Sequence, residues 1–247
     1  NLPTVDLFPL DLLFQIDLVR YGFFIVCLVA LMNGMNFIDG ANGLMSAFFL
    51  SSLLNIAYLA YLTGDNFFSA LSILFFIPAA IFLFFNYPSG KIFAGDLGAY
   101  LKGLFVGYLV INFFASQPDV SLWSALIILF YPTAEVIFSC WRKITQGKSP
   151  LKPDRLHLHI KLYDLIYTAT QKSRLANNLV VVFLSFFWLT PMLILPWVYD
   201  DTALVIVTLV ILSSIYLLLN HYVPGTNPIE LKQRGRGRGA KAIKKAG

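Results

Sequence analysis

Asn33-Gly34-Met35-Asn36-Phe37-Ile38-Asp39-Gly40-Ala41-Asn42-Gly43-Leu44 sets three asparagines, an aspartate and three glycines between two long apolar runs. Each unpaired polar group in a bilayer costs several kcal/mol. The stretch is therefore either a helix-breaking loop at a membrane surface or part of a polar site.

Outward from it, the composition sets the class. Hydrophobic residues make up 58% of the chain and charged residues 13%, against about 25% charged in a soluble domain. Seven segments approach the ~20 apolar residues that cross a bilayer: 21–38, 41–62, 67–85, 98–115, 121–140, 177–199 and 202–222. The sequence thus predicts an all-α, polytopic transmembrane helix bundle of about seven spans over 1–222, with a basic loop at 141–174. A basic tail at 223–247 is expected to be disordered. Lys102 and Glu135 are the charges inside the spans. Cys27 and Cys140 both fall within spans, so no disulfide framework is expected.

Charge asymmetry orients the bundle. The loop 141–174 carries Arg142, Lys143, Lys148, Lys152, Arg155, Lys161, Lys172 and Arg174, and the tail after 222 is also basic. The connections on the other side carry Asp65, Asp119, Asp200 and Asp201 and no lysine or arginine. By the positive-inside rule the basic face is cytoplasmic, which predicts a multi-pass protein of the inner membrane. An even number of crossings separates the opening stretch, the segment 85–98 and the basic loop. All three should share that face.

The second segment contains Asn86, Pro88, Lys91, Phe93, Gly95, Asp96 and Gly98; the third contains Pro153, Asp154, Arg155, His157 and His159. Together they offer carboxylates, cations and imidazoles suited to an anionic, phosphate-bearing ligand with a divalent metal. Mg²⁺ takes hard oxygen ligands, commonly one or two carboxylates plus substrate phosphates. The spans 41–62 and 98–115 start on the same face, so their N-terminal N–H groups and dipoles favour phosphate there. Asp39 and Asp96 should approach a common cleft, within on the order of 10 Å.

Plainer readings stand beside these. Asp39 and Asp96 could be helix N-caps, Lys91 a lysine reaching the headgroups, and the glycines turn or packing residues. His157 and His159 share a face only on an extended segment, and Pro153 favours that geometry before it. As a pair of loop histidines they could simply be surface residues. Glu135 is either a functional intramembrane carboxylate or a partner of Arg142 or Lys143.

The three motifs together resemble the polyprenyl-phosphate N-acetylhexosamine-1-phosphate transferases. The pattern N-x-x-N-x-x-D-G-x-(D/N)-G-L is met by Asn33, Asn36, Asp39, Gly40, Asn42, Gly43 and Leu44. The pattern N-x-P-x-x-K-x-F-x-G-D-x-G is met by Asn86, Pro88, Lys91, Phe93, Gly95, Asp96 and Gly98. The pattern P-D-R-x-H-x-H is met by Pro153, Asp154, Arg155, His157 and His159. Pro132 and Glu135 fall where the family often has P-x-x-D. The resemblance implies transfer of N-acetylhexosamine-1-phosphate from a UDP-sugar to undecaprenyl phosphate, with release of UMP. It implies catalytic Asp39 and Asp96, which also hold Mg²⁺ (Mn²⁺ as an alternative). Asn36, Lys91, Arg155, His157 and His159 would bind substrate. Membrane lipids and a homo-oligomeric partner fit the same reading, and nucleic acid does not.

The chain departs from the pattern in places. Asn42 stands where many bacterial members have Asp, Ala99 where Ser is frequent, and Ile160 where a further His is common. An upstream cytoplasmic Asp-Asp pair is missing, and relatives have ten or eleven spans. The expectation is an N-terminally incomplete chain, inactive on its own. Two alternatives remain at this stage: a transporter of an anionic metabolite, and a non-catalytic scaffold derived from the enzyme.

Overall fold

The computed structural model describes residues 2–3, 10–150, 152 and 155–225. Among them every regular element is a helix: α1 (Leu10–Leu13), α2 (Asp17–Ile38), α3 (Leu44–Leu62), α4 (Asn66–Asn86), α5 (Gly95–Ser116), α6 (Ser124–Ile128), α7 (Phe130–Thr145), α8 (Leu158–Thr170), α9 (Ser173–Val198) and α10 (Thr202–Tyr222). The basic tail from 226 onward, Pro153 and Asp154 lie outside the described residues.

Six of these helices, α2 to α5, α9 and α10, are long and apolar enough to cross a membrane. The expected span 121–140 is instead split at Leu129 (φ −100°, ψ 19°) into α6 and α7. Pro132 has no N–H to return to the preceding turn, which is the physical reason for a restart here. Other boundaries also move. Helix α5 begins three residues earlier than expected, which takes Asp96 into its first turn. Helix α3 begins three residues later.

Helix α3 is the centre of the bundle, with 83% of its apolar window buried, whereas α4 buries 11% and presents its apolar face outward. An outward apolar face suits hydrocarbon surroundings, where only the backbone must be satisfied internally. Small residues bring helices into contact. A Cβ on Gly103 would fall 2.7 Å from the Met32 Cα, and one on Gly107 2.6 Å from a Leu28 methyl. One turn apart, they let α2 lie against the α5 backbone. Gly34 does the same for α7, where a Cβ would meet the Pro132 carbonyl at 2.6 Å.

The acidic connections gather at one end. Asp65 caps α4 by accepting from the Phe68 N–H, and Asp201 caps α10 through Ala203 and Leu204. Gln117 donates to Asp65 at 3.0 Å, and the Ser121 N–H donates to the Tyr199 carbonyl at 2.8 Å. The three motif-bearing segments meet at the other end, as the crossing count requires. Cys27 and Cys140 are free thiols.

Candidate functional site

The site begins where α2 ends. Asn36 occupies its last turn and Asp39 is its C-cap. Across the cleft, Gly95 (φ +64°) opens α5 and Asp96 sits in the first turn, where a carboxylate is favoured by the helix dipole. The Asn36 amide donates to Asp96 Oδ1 at 3.0 Å and ties the two motifs together. The capping alternative fails for both aspartates. Asp39 closes a helix rather than starting one, and the residue preceding α5 is Ala94, with no side-chain cap.

The Asp39 carboxyl also feels the charge of Asp96. Burial lifts the Asp39 carboxyl to about 6; the Lys102 ammonium pulls it down, and the Asp96 charge adds to the rise. Asp39 is half-buried and Asp96 exposed. Two electrostatically coupled carboxylates, one held by an amide, could donate to a hard divalent cation completed by phosphate and water. Among the described residues no group of three His, Cys, Asp or Glu forms a cage by itself.

Asn86, buried at the end of α4, clamps the first two motifs. It accepts the Gly43 N–H at 2.6 Å and donates to the Ile92 carbonyl at 2.8 Å. Gly43 itself needs its glycine: φ is +90°, and a Cβ would lie 2.7 Å from Tyr87. The N–H of Asn42 goes to Asn177 on α9 at 3.0 Å. These two bonds correct the expectation of free N–H groups at the start of α3, since Asn42 and Gly43 are already satisfied by side chains.

The third segment is hung from α7. Glu135, 1% exposed, holds His157 Nδ1 at 2.8 Å and accepts the Leu158 N–H at 3.0 Å. Arg142 donates to the Leu156 carbonyl and Lys143 to the Pro150 carbonyl. The alternative that paired Glu135 with Arg142 or Lys143 gives way to a different division of labour. All three α7 side chains grip the loop. A local-sequence argument could not see this, because the loop returns to Glu135 only after 22 residues.

His157 and His159 are buried, not surface residues. Their rings stack at 5.8 Å, with His157 in extended geometry at the start of α8. His159 is 1% exposed and neither ring nitrogen has a partner. Burial pushes its pKa down to about 4, with Glu135 opposing and His157 adding to the fall. It is a neutral imidazole at pH 7. A Cβ on Gly40 would strike its Nε2 at 2.6 Å, so this glycine lets the first and third motifs touch. Phe37 packs on the His157 ring at 4.8 Å. Arg155 is exposed, 3.7 Å from Asp164 on α8. Lys91 is exposed on the loop before α5, and no hydrogen bond or ion pair links its side chain to Asp39 or Asp96.

The sequence missed Lys102 as a site residue, although a lysine in an otherwise uncharged span was the available signal. It also missed Asn177, which nothing in its local pattern marks.

No solved structure matches this chain. The sequence model of glycosyl transferase family 4 matches residues 1–114, which hold the first two motifs. An undecaprenyl-phosphate alpha-N-acetylglucosaminyl 1-phosphate transferase of Thermotoga maritima is 31% identical over 56% of this chain and 41% of its own length. A probable undecaprenyl-phosphate N-acetylglucosaminyl 1-phosphate transferase of Bacillus subtilis is 30% identical over 60% of this chain and 42% of its own. The corresponding enzyme of Escherichia coli is 27% identical over 61% and 43%. The chain therefore spans about two fifths of the length of these curated relatives. With the asparagine, aspartate and histidine motifs joined at one end of a membrane-spanning helix bundle, the chain is similar over residues 1–114 to glycosyl transferase family 4, and over a longer stretch to these undecaprenyl-phosphate N-acetylglucosaminyl 1-phosphate transferases.

Proposed function

We propose that this chain carries the phosphosugar-transfer site of a membrane enzyme that moves N-acetylhexosamine-1-phosphate from a UDP-sugar to undecaprenyl phosphate. The observation that carries the reading is the Asn36–Asp96 hydrogen bond beside Asp39, with the unpartnered His159 imidazole against Gly40. The names of the relatives supply the lipid phosphate and the N-acetylglucosamine phosphate.

In this reaction an oxygen of the lipid phosphate attacks the sugar-bearing phosphorus. The bond from that phosphorus to the bridging oxygen breaks, and UMP leaves with the electron pair. The difficulty is bringing two anionic phosphates together. A Mg²⁺ ion (or Mn²⁺) held by Asp39 and Asp96 would supply Lewis-acid charge neutralisation at the diphosphate. Asn36 keeps the Asp96 carboxylate turned into the cleft. His159, neutral and buried, offers a hydrogen bond rather than a charge. Arg155, exposed beside Asp164, adds a cation at the water-exposed rim, and Lys91 a weaker one. The positioning of both phosphates accounts for much of the rate in such transfers.

The site faces the cytoplasm in this reading, because the loop that completes it carries eight lysines and arginines. The membrane is then the inner one. The test is UMP release from UDP-N-acetylglucosamine with undecaprenyl phosphate and Mg²⁺, read together with formation of the lipid-linked product. Asp96→Asn should abolish both; turnover undiminished in that variant removes Asp96 from the mechanism.

A further inference from the structure

Lys102 lies on α5, less than two turns beyond Asp96 and roughly 10 Å along the helix from Gly95. It is half-buried between α3, α4 and α5. Its ammonium donates to the Ser46 hydroxyl at 3.2 Å, stands 4.0 Å from the Phe82 ring centroid and 5.9 Å from that of Phe49. No carboxylate forms an ion pair with it within 4.0 Å among the described residues. Its field reaches Asp39 all the same.

Such a cation is costly. An ammonium inside a membrane span is normally neutralised by a partner or turned to a water-filled cavity. Here a neutral hydroxyl and two aromatic rings satisfy it only in part, and aromatic faces attract a cation weakly compared with an anion. Its charge acts on Asp39 of the acidic pair, and its ammonium lies against Phe49 on α3 and Phe82 on α4. The anion that suits this place carries its own apolar chain.

We propose that Lys102 binds the phosphate of the lipid acceptor, on the membrane side of the Asp39–Asp96 cleft. The inference rests on the transferase reading for the identity of that lipid, and it adds a residue which no motif contains. The soluble diphosphate is met from the aqueous end by Arg155 and His159. The lipid phosphate arrives from the apolar side and meets Lys102. The two anions are then received by different cations, which keeps their charges apart until the cleft brings them together.

The experiment uses the purified full chain in detergent, with undecaprenyl phosphate, undecaprenol, inorganic phosphate and UDP-N-acetylglucosamine as separate probes. Lys102→Met should weaken undecaprenyl phosphate binding roughly 10- to 100-fold, the range of a charge-assisted hydrogen bond. Undecaprenol and UDP-N-acetylglucosamine binding should not change. Lys102→Arg should keep most of the preference for the phosphate over the alcohol. In the unmodified chain, undecaprenyl phosphate should also protect Lys102 from amine acetylation, read by mass spectrometry, so a misfolded variant does not remove the test. Equal binding by Lys102→Met, or absence of protection by the lipid phosphate, overturns the proposal. So does equal protection by undecaprenol, which would mean simple occlusion, or by inorganic phosphate alone, which would mean a site blind to the lipid. If the chain binds the lipid phosphate through Lys102 but never binds UDP-N-acetylglucosamine, the transferase reading falls and the Lys102 assignment stands.

Discussion

Asn36 and Asp96, sixty residues apart in sequence, are joined by a 3.0 Å hydrogen bond from the Asn36 amide to the Asp96 carboxylate. It spans the C-terminal turn of one helix and the N-terminal turn of another. Hydrogen bonds to charged groups contribute about 1.5–3 kcal/mol, but this one is partly open to water and should act on geometry more than on folding. Asn36→Ala should reduce kcat/KM roughly tenfold or more while shifting the melting temperature little. Steady-state UMP release and thermal unfolding in detergent check the two halves separately.

The Asp39 carboxyl titrates at about 6, lifted from 3.8 chiefly by burial. Folding therefore favours its protonated form. That contribution to stability is fully present below the unfolded value and is lost as pH rises through about 6. Activity runs the other way, because the ionised carboxylate is the useful form. Turnover should fall on acidification through about pH 6. Asp39→Asn should remove most of the turnover and should raise the melting temperature at pH 7.5 but not at pH 4. Melting curves at the two pH values, with a pH–rate profile of the unaltered chain, test both signs.

Glu135 carries two buried hydrogen bonds to the histidine segment. Removing one partner of a buried charged pair typically costs 3–5 kcal/mol. Glu135→Ala should therefore destabilise the protein by about that order and free the loop it holds. Trypsin should then cut faster at Lys148 or Arg155, a change visible on a gel before global unfolding. Glu135→Gln, which retains an acceptor, should cost less.

Glycines separate packing from site chemistry. Gly103→Ala forces a methyl to 2.7 Å from backbone in α2 and should cost about 1–3 kcal/mol, as overpacking does. Gly22→Ala, with nothing within 4 Å, should be neutral or slightly stabilising. Gly40→Ala pushes on the His159 ring and should weaken UDP-sugar binding more than it lowers the melting temperature. Unfolding curves for the three variants, with a binding titration for Gly40→Ala, provide the comparison.

The amphipathic accounting in the sequence reached the bundle because apolar length and charge placement are both local properties. Parity of crossings also brought Asn36, Asp96 and His159 to one end without any tertiary information. What sequence reading missed depends on distant partners. The break at Leu129 follows from Pro132, which was visible, but a span of twenty apolar residues masked it. The role of Glu135 was not visible, because its partner is a loop that returns from the far side of Arg142. The capping role that stood as the plainer alternative for Asp39 and Asp96 is filled, at other helix starts, by Asp65 and Asp201, which look alike in the sequence. A one-turn error in where a helix starts is enough to exchange a cap for a site carboxylate.

The central claim is that the acidic pair and the histidine loop act on one nucleotide sugar. Its most direct test is calorimetric titration of the purified chain with UDP-N-acetylglucosamine, with and without Mg²⁺. Saturable binding that needs the metal and is lost both in Asp96→Asn and in Arg155→Ala is the predicted result. Binding of equal strength without Mg²⁺, or untouched by either substitution, would contradict it.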